Sequence, residues 1–503
     1  MAKYIISLDE GTTSCRTLII NHQGEIVASD ALEFSQIFPK AGWVEHDAIE
    51  IWNSQRTTLV QSVNKAKIKI EEIVGIGITN QRETVVMWDR QSGLPIYNAI
   101  VWQDRRTADY CDELIKAGKN KMIQEKTGLI INPYFSASKI KWVLDNVEGA
   151  RTLAANNNLM FGTIDTWLIY RLTGGEVHVT DSTNASRTML FNIHTQTWDE
   201  DLLTLFDIPK NILPMVKSSS EVYGQTFPGL LSKKTEIRIP IASAIGDQQA
   251  ALFGQLCLEP GEVKNTYGTG CFILMNTGEI PVTSNNGLLT TIALNYNNKI
   301  TYALEGSVFV AGAAIQWLRD ALKIIYHASE TDWYTGLVND DQQVYVVPSF
   351  TGLGSPYWDS YSRGAIFGLE RGTKREHLVK ATLESLAYQS YDVIMAMAED
   401  LQQPIKTIKV DGGASRNNYL MQFQADISQV EVVRPKNIET TAMGAAFLAG
   451  LALNFWASID DIKDILIVDK KYQPKLDKTI IKKLLKGWKV SVTRTFNWLK
   501  DIA

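Results

Sequence analysis

The sequence predicts an α/β protein of two large domains, each a mixed sheet flanked by helices. Three observations carry the prediction. A chain of 503 residues is longer than one hydrophobic core usually organises. Short apolar runs that end in Asp or Gly turns and lead into helical spacing recur along it, as α/β units require. A turn rich in glycine and hydroxyl groups stands between two strand-like runs at residues 11–14 and again at 266–270, one in each half, as two related domains would show. The boundary is placed after Gly254, giving domains 1–254 and 255–503.

Bulk properties narrow the function classes. With 45% hydrophobic and 21% charged residues the composition is that of an ordinary globular protein. A net charge of −5 and a pI near 5.8 give no general basis for nucleic acid or a membrane as partner. No apolar run is long enough to span a bilayer. The N-terminus enters a strand at once, without a basic region, apolar core and cleavage site, so a cytoplasmic location is expected. Cys15, Cys111, Cys257 and Cys271 are scattered without metal-ligand spacing and read as reduced thiols.

In chain order, residues 4–9 (YIISLD) form a strand ending in an acid, followed by the turn Glu10-Gly11-Thr12-Thr13-Ser14 and strands at 17–20 and 25–28. Backbone N–H groups and hydroxyls of such a turn can face a phosphate, Asp9 can hold a metal ion through water, and Arg16 adds a permanent cation. An ordinary hairpin turn has the same composition. Asp47 to Glu50 resembles a capping box that opens a helix reaching about Lys67. Residues 74–79 (VGIGIT) are a buried strand that delivers Asn80-Gln81-Arg82-Glu83-Thr84, and residues 100–106 (IVWQDRR) repeat the pattern around Trp102. An aromatic wall with a few polar hooks suits a small polyol; a surface ion pair at a bend is the alternative.

Tyr134 precedes a helix at 138–145. Residues 161–170 begin another α/β segment. The polar loop 180–189 (TDSTNASRTM) has no role that follows from the sequence, and 195–240 reads as a peripheral insertion because its periodicity is weak. Residues 240–254 (PIASAIGDQQAALFG) are a buried strand, a turn at Gly246 and a helix. An acid at the carboxyl end of such a strand faces a ligand, which makes Asp247 the candidate base; a helix cap is the other reading.

The second half offers the turn 265–271 (NTYGTGC), small residues at Gly312, Ala313 and Ala314 where a helix starts, and a long helix at 376–397. The strand 407–410 then runs into Asp411-Gly412-Gly413, which suits a nucleotide lying across a glycine turn. Residues 440–453 form an Ala/Gly-rich helix able to pack closely on a neighbour. Residues 475–500 are basic and amphipathic, with Ile481, Leu484, Leu485 and Trp488 on one face.

Taken in order, DEGTTSCR (9–16), TYGTG (266–270), VDGGASRNN (410–418) and TAMGAA (441–446) resemble the two phosphate loops, adenosine loop and second connecting helix of the actin/hexokinase ATPase fold. YFSASKIKWVLDN (134–146) and GAIFGLERGTKREHLVKATLE (364–384) are similar to the two signatures of the FGGY family of sugar and polyol kinases. The resemblance covers essentially the whole chain. It implies two ribonuclease-H-like (actin-like ATPase) domains with a cleft between them.

Within the family, ITNQRET (78–84), PKAGWVEHD (39–47), YNAIVWQ (97–103) and GDQQAALFGQ (246–255) are similar to the members that phosphorylate glycerol. The implied reaction, part of glycerol catabolism, is ATP-dependent formation of sn-glycerol 3-phosphate with release of ADP. The resemblance implies Asp247 as base. It implies Arg82, Glu83, Tyr134, Asp247 and Gln248 as ligands of the glycerol hydroxyls, with Trp102 and Phe272 as the aromatic wall. Nucleotide contacts would be Thr12, Thr13, Ser14, Arg16, Thr269, Gly312, Gln316, Gly413 and Asn417, and Asp9 would position Mg2+. A homodimer or homotetramer is also implied.

Two departures matter. The loop 223–234 lacks the histidine that is phosphorylated in one group of relatives, and SKKTEIR (232–238) lacks the glycines of a fructose 1,6-bisphosphate segment, so neither regulation is expected. The competing readings are a kinase of xylulose, ribulose or gluconate, and a non-catalytic ATP-driven clamp, which would leave Asp247 and the polyol hooks without a task. No Walker A or protein-kinase motif set is present.

Overall fold

The computed structural model describes residues 3–232, 236–338 and 343–502. The chain divides into two units. The first contains Met1–Leu256, Thr290–Tyr302 and Thr440–Leu466, and the second Cys257–Leu289, Ala303–Glu439 and Ile467–Ala503. Residues 233–235, within the segment lacking the family's glycines, lie outside the described residues. Arg238, at the end of that segment, is engaged with Glu176 at 2.7 Å.

A six-stranded mixed sheet organises the first unit. Its strands are β1 (Tyr4–Glu10), β2 (Ser14–Asn21), β3 (Ile26–Glu33), β4 (Ile73–Asn80), β5 (Ser220–Gln225) and β6 (Pro240–Gly246), in the neighbour order β5-β6-β4-β1-β2-β3. Strands β1, β4 and β6 are parallel and buried. Burial on both faces explains why they read as near-continuous apolar runs. Edge strand β3 has no fully buried residue and carries Asp30 and Glu33, charges that discourage further strand pairing.

Strand β5 corrects the reading of residues 195–240 as peripheral. It pairs antiparallel with β6 inside the main sheet, and Phe206, Ile212 and Tyr223 are buried. Only Tyr223 is fully buried along β5, so this edge strand lacks the alternation that would have revealed it.

The helix Ala48–Ala66 starts where expected: the Asp47 carboxylate accepts the Ile49 and Glu50 backbone N–H groups at 2.7 and 3.3 Å. The helix Thr440–Ala452 is buried almost all round and lies on the first unit's sheet. The buried hydroxyls of Ser7 and Ser243 donate to its Ala442 and Ala445 carbonyls, both at 2.7 Å. Its approach to the helix Asp247–Gly254 is closer still. A Cβ at Gly444 would lie 2.0 Å from the Ala250 carbonyl oxygen, and one at Gly254 would lie 2.0 Å from that of Thr440. The small residues of both helices therefore bring backbone against backbone.

The second unit has its own mixed sheet. Strands β7 (Glu262–Tyr267), β8 (Cys271–Gly278), residues 303–308 of β9 (Lys299–Val308), β10 (Thr407–Asp411), β11 (Val432–Pro435) and β12 (Val468–Tyr472) follow the order β9-β8-β7-β10-β11-β12. The helix Arg375–Leu401 packs on it. The basic helix Lys478–Thr493 exposes its lysines and is anchored by Trp488, whose indole N–H donates to the half-buried Asp392 at 2.6 Å and whose ring stacks on Tyr388. All four cysteines are free and buried. Among the described residues, no helix is long and apolar enough to cross a membrane.

Candidate active site

Parallel register places the first unit's functional groups together. Glu10 on β1 lies opposite Asn80 on β4, and Asn80 lies opposite Gly246 on β6. Three strands thus end at one level, and at their carboxyl ends they deliver Asp9 with the Gly/Thr turn, Arg82 with Glu83, and Asp247. Ligands of open α/β sheets bind at this edge.

Asp247 opens the helix Asp247–Gly254, whose N-cap is Gly246. Asp247 is therefore not the N-cap itself, although its carboxylate accepts one N–H of the helix's first turn. Its Oδ1 accepts the Gln248 N–H at 2.7 Å and lies 3.2 Å from Arg82 Nε, and its Oδ2 accepts the Gln248 amide at 2.9 Å. The side chain remains 30% exposed, whereas Arg82 is 2% exposed, so the acid is the reachable member of the pair. Arg82 also donates to Gln249 Oε1 at 3.0 Å and to the Tyr134 hydroxyl at 3.5 Å. Only glycine fits at 246, because a Cβ there would lie 2.7 Å from Arg82 Cδ.

The aromatic wall is tied to the phosphate turn. Trp102 meets Tyr134 edge to face at 5.4 Å, and its indole N–H donates to the Thr12 hydroxyl at 3.0 Å. Tyr134 sits on a loop held from below by Lys139, a fully buried amine that donates to the carbonyls of Pro133, Tyr134 and Phe135. Burial pulls this amine down to about 8.

Asp9 is half-buried and lies opposite Arg16 across the first hairpin. Burial, reinforced by the charges of Asp9 and Asp247, holds the neighbouring Glu10 carboxyl well above the ordinary range. Among the described residues, no group of three or more acidic, histidine or cysteine side chains converges. A site with one carboxylate, completed by water and phosphate oxygens, matches the way Mg2+ is commonly held.

The second unit assembles the remaining candidates. Its Gly/Thr turn abuts the start of the helix Gly312–Asp320: Gly312 and Ala311 donate their N–H groups to the carbonyls of Gly268 and Thr269 at 3.0 and 2.8 Å. A Cβ at Gly312 would lie 2.5 Å from the Gly268 oxygen. Gln316 is exposed on the same helix, one turn on. Thr266 lies opposite Asp411, so β7 and β10 end together. Gly412 has φ +82° and its Cβ position is filled by the Tyr267 backbone, while a Cβ at Gly413 would meet open space. Asn417 caps the helix Asn418–Ser428 and donates to the Thr331 hydroxyl at 3.1 Å. Phe272 is half-buried on β8.

Four residues of the first-unit site were not singled out from sequence. Gln249 receives Arg82. The Thr183 hydroxyl accepts the Gly246 N–H at 2.9 Å. Asn184 exchanges amide hydrogen bonds with Asn80 at 3.0 and 3.1 Å. Arg187, fully buried, donates from Nε to Glu83 Oε1 at 2.6 Å. Three of the four come from the polar loop 180–189, so that loop ties down the ends of β4 and β6. Its density of Asp, Asn, Thr and Arg beside apolar neighbours was the available signal.

Comparison with known proteins finds relatives over the full length of the chain. The sequence matches the FGGY family of carbohydrate kinases over both parts, the N-terminal domain at residues 4–254 and the C-terminal domain at residues 263–453. It is 65% identical to the glycerol kinase of Mycoplasma capricolum over 500 residues, 99% of each chain, and 61% identical to that of Mycoplasmopsis pulmonis over 501 residues, again 99% of each. Among solved structures it is similar to the Plasmodium falciparum glycerol kinase with ADP, with a TM-score of 0.92, 38% identity and 98% of each chain covered. A gluconate kinase from Lactobacillus acidophilus shares the fold at a TM-score of 0.90 and 22% identity, with both chains fully covered.

Proposed function

The chain belongs to the FGGY family of carbohydrate kinases, and from that premise we propose that it transfers the γ-phosphoryl group of ATP to a terminal hydroxyl of glycerol, releasing ADP and sn-glycerol 3-phosphate. The observation that carries this reading is the meeting of Asp247, Arg82, Glu83, Tyr134 and Trp102 at the ends of parallel strands, one acid beside polar hooks and an aromatic wall. The full-length likeness to glycerol kinases supports the choice of polyol.

In this mechanism Arg82, Glu83, Tyr134 and Gln248 hydrogen-bond the substrate hydroxyls, while Trp102 and Phe272 cover its carbon chain. The terminal oxygen attacks the γ-phosphorus, the bond from that phosphorus to the β,γ-bridging oxygen breaks, and the hydroxyl proton passes to the Asp247 carboxylate. A carboxylate is a weak base toward an alcohol, but a loose phosphoryl-transfer transition state makes that proton acidic only late. Orientation is therefore much of Asp247's task, and its bonds to Arg82 and Gln248 supply it. Thr12, Thr13, Ser14 and Arg16 bind phosphate oxygens in the first unit. Thr269, Gly312, Gln316, Gly413 and Asn417 bind the nucleotide in the second. Asp9 would hold Mg2+ through water, and the ion supplies neutralisation of phosphate charge. A consumer of ATP with four buried, free cysteines suits the cytoplasm.

The test is ADP release from Mg-ATP with glycerol, dihydroxyacetone, xylulose, ribulose or gluconate, with each product identified. Dominance of glycerol and appearance of glycerol 3-phosphate are expected. A higher kcat/KM for a pentulose or gluconate would end the substrate assignment, and ATP turnover indifferent to every polyol would favour the clamp.

A further inference from the structure

We propose that Arg187 is a positioning residue that keeps the polyol-recognition pair open: it holds the Glu83 carboxylate away from Arg82, so that acid and guanidinium stay separate partners for neighbouring substrate hydroxyls. The inference rests on the reading of this site as a polyol pocket and assigns it a specificity-determining group.

The geometry is a competition of two cations for one carboxylate. Arg187 Nε lies 2.6 Å from Glu83 Oε1, and Arg82 Nε lies 3.9 Å from the same oxygen. Side-chain exposures are 0% for Arg187, 1% for Glu83 and 2% for Arg82, so water screens none of these charges well. Arg187 makes the shorter contact to Glu83, while Arg82 lies closer to the partly exposed Asp247 than to Glu83. Arg82 is thereby oriented toward the acid that would take the proton.

Without Arg187, Arg82 is a cation already within 3.9 Å of Glu83. A buried carboxylate that loses its partner seeks another, because an unpaired charge is strongly unfavourable in this environment. Closing the 3.9 Å gap would turn Arg82 away from Asp247 and join the two substrate hooks to each other. The backbone offers Glu83 little alternative. Its φ is +63°, in the left-handed region that suits glycine, and the Ser136 hydroxyl fixes its carbonyl at 2.8 Å. Arg187 further places its guanidinium 5.8 Å from the ring centre of Tyr134 and 5.3 Å from that of Phe135. One side chain therefore braces Glu83 and the loop that presents Tyr134. This gives residues 180–189 a chemical role: their amides and hydroxyls anchor the strand ends, and their arginine sorts the charges.

The experiment is a double-mutant cycle on the full chain with Arg187→Gln, Glu83→Gln and both together. Steady-state kinetics in glycerol and ATP, ADP affinity and apparent Tm are measured for each. Arg187→Gln is expected to lower kcat/KM for glycerol about 100-fold, chiefly through KM, with ADP affinity unchanged. Arg187→Lys, which keeps the charge, is expected to recover about tenfold of that loss. In the Glu83→Gln background no carboxylate remains to be misdirected, so adding Arg187→Gln should cost less than about threefold more.

An equal cost of Arg187→Gln in both backgrounds would overturn the proposal, leaving Arg187 as packing alone. So would failure of Arg187→Lys to improve on Arg187→Gln when both are folded. If Arg187→Gln does not fold, the same comparison is made with Arg187→Lys in the two backgrounds, with the same criterion. Absence of glycerol phosphorylation by the unaltered enzyme would instead remove the substrate assignment, and the cycle would be read with the polyol it does turn over.

Discussion

Replacing Gly444 by Ala tests whether the placement of the candidate base depends on helix packing behind it. The added methyl would start 2.0 Å from the Ala250 carbonyl oxygen and 2.7 Å from its carbon, where ordinary contact begins near 3.4 Å. Both obstacles are backbone, so no rotamer change relieves them, and the facing helices must part by roughly 1 Å. Overpacking costs ~1–3 kcal/mol, and a backbone obstacle belongs at the upper end. At ~2 °C per kcal/mol for a unit this large, the apparent Tm should fall by about 6 °C. Asp247 stands three residues before Ala250 on the displaced helix, and a shift of ~1 Å there should lower kcat by about 100-fold. Calorimetry of the ligand-free enzyme and glycerol-dependent ADP release read the two effects. A Tm within about 1 °C of the parent would refute the close apposition, and unchanged kcat at lowered Tm would refute the link from that helix to Asp247.

Three further outcomes follow from the site and its supports. Asp247→Asn should keep ADP affinity while kcat falls by about 10²–10⁴-fold; near-normal turnover would end its role as base. Arg82→Ala removes the partner of Asp247 and Gln249 and should raise KM for glycerol by about 10–100-fold. A rise confined to KM for ATP would place Arg82 elsewhere in the reaction. Burial, aided by the charge of Asp181, pushes the Asp165 carboxyl up to about 7. Its folded form keeps a proton that an unfolded chain loses near pH ~4. The stability it contributes is present below that point and is lost as pH rises to about 7. Asp165→Asn should therefore lose less apparent Tm than the parent between pH 5 and pH 8, roughly the interval in which the buried carboxyl ionises. A Tm difference between the two proteins that does not change with pH would refute the shift.

Much of the fold and site was legible because its signals are local. An apolar run ending in a polar residue marks a buried strand that delivers a functional group, and this marked Asp9, Arg82, Glu83 and Asp247. Glycine where a Cβ has no room marks Gly246 and Gly412, and a cap such as Asp47 marks a helix start. The tertiary structure alone decided which ends meet. Parallel strands pair across long crossovers, so the level at which Glu10, Asn80 and Gly246 end together is set by register rather than by any one segment. One partner of Glu83, Arg187, lies 104 residues away, and periodicity encodes that Arg187 sits beside apolar neighbours but not which charge it meets. Strand β5 was hidden because an edge strand with one buried side chain leaves almost no pattern. The Ala/Gly-rich helix announced close packing, yet only the fold showed Thr440–Ala452 resting on the first unit's sheet. Burial is written into a residue's own neighbourhood, whereas partnership depends on distant chain brought near by folding.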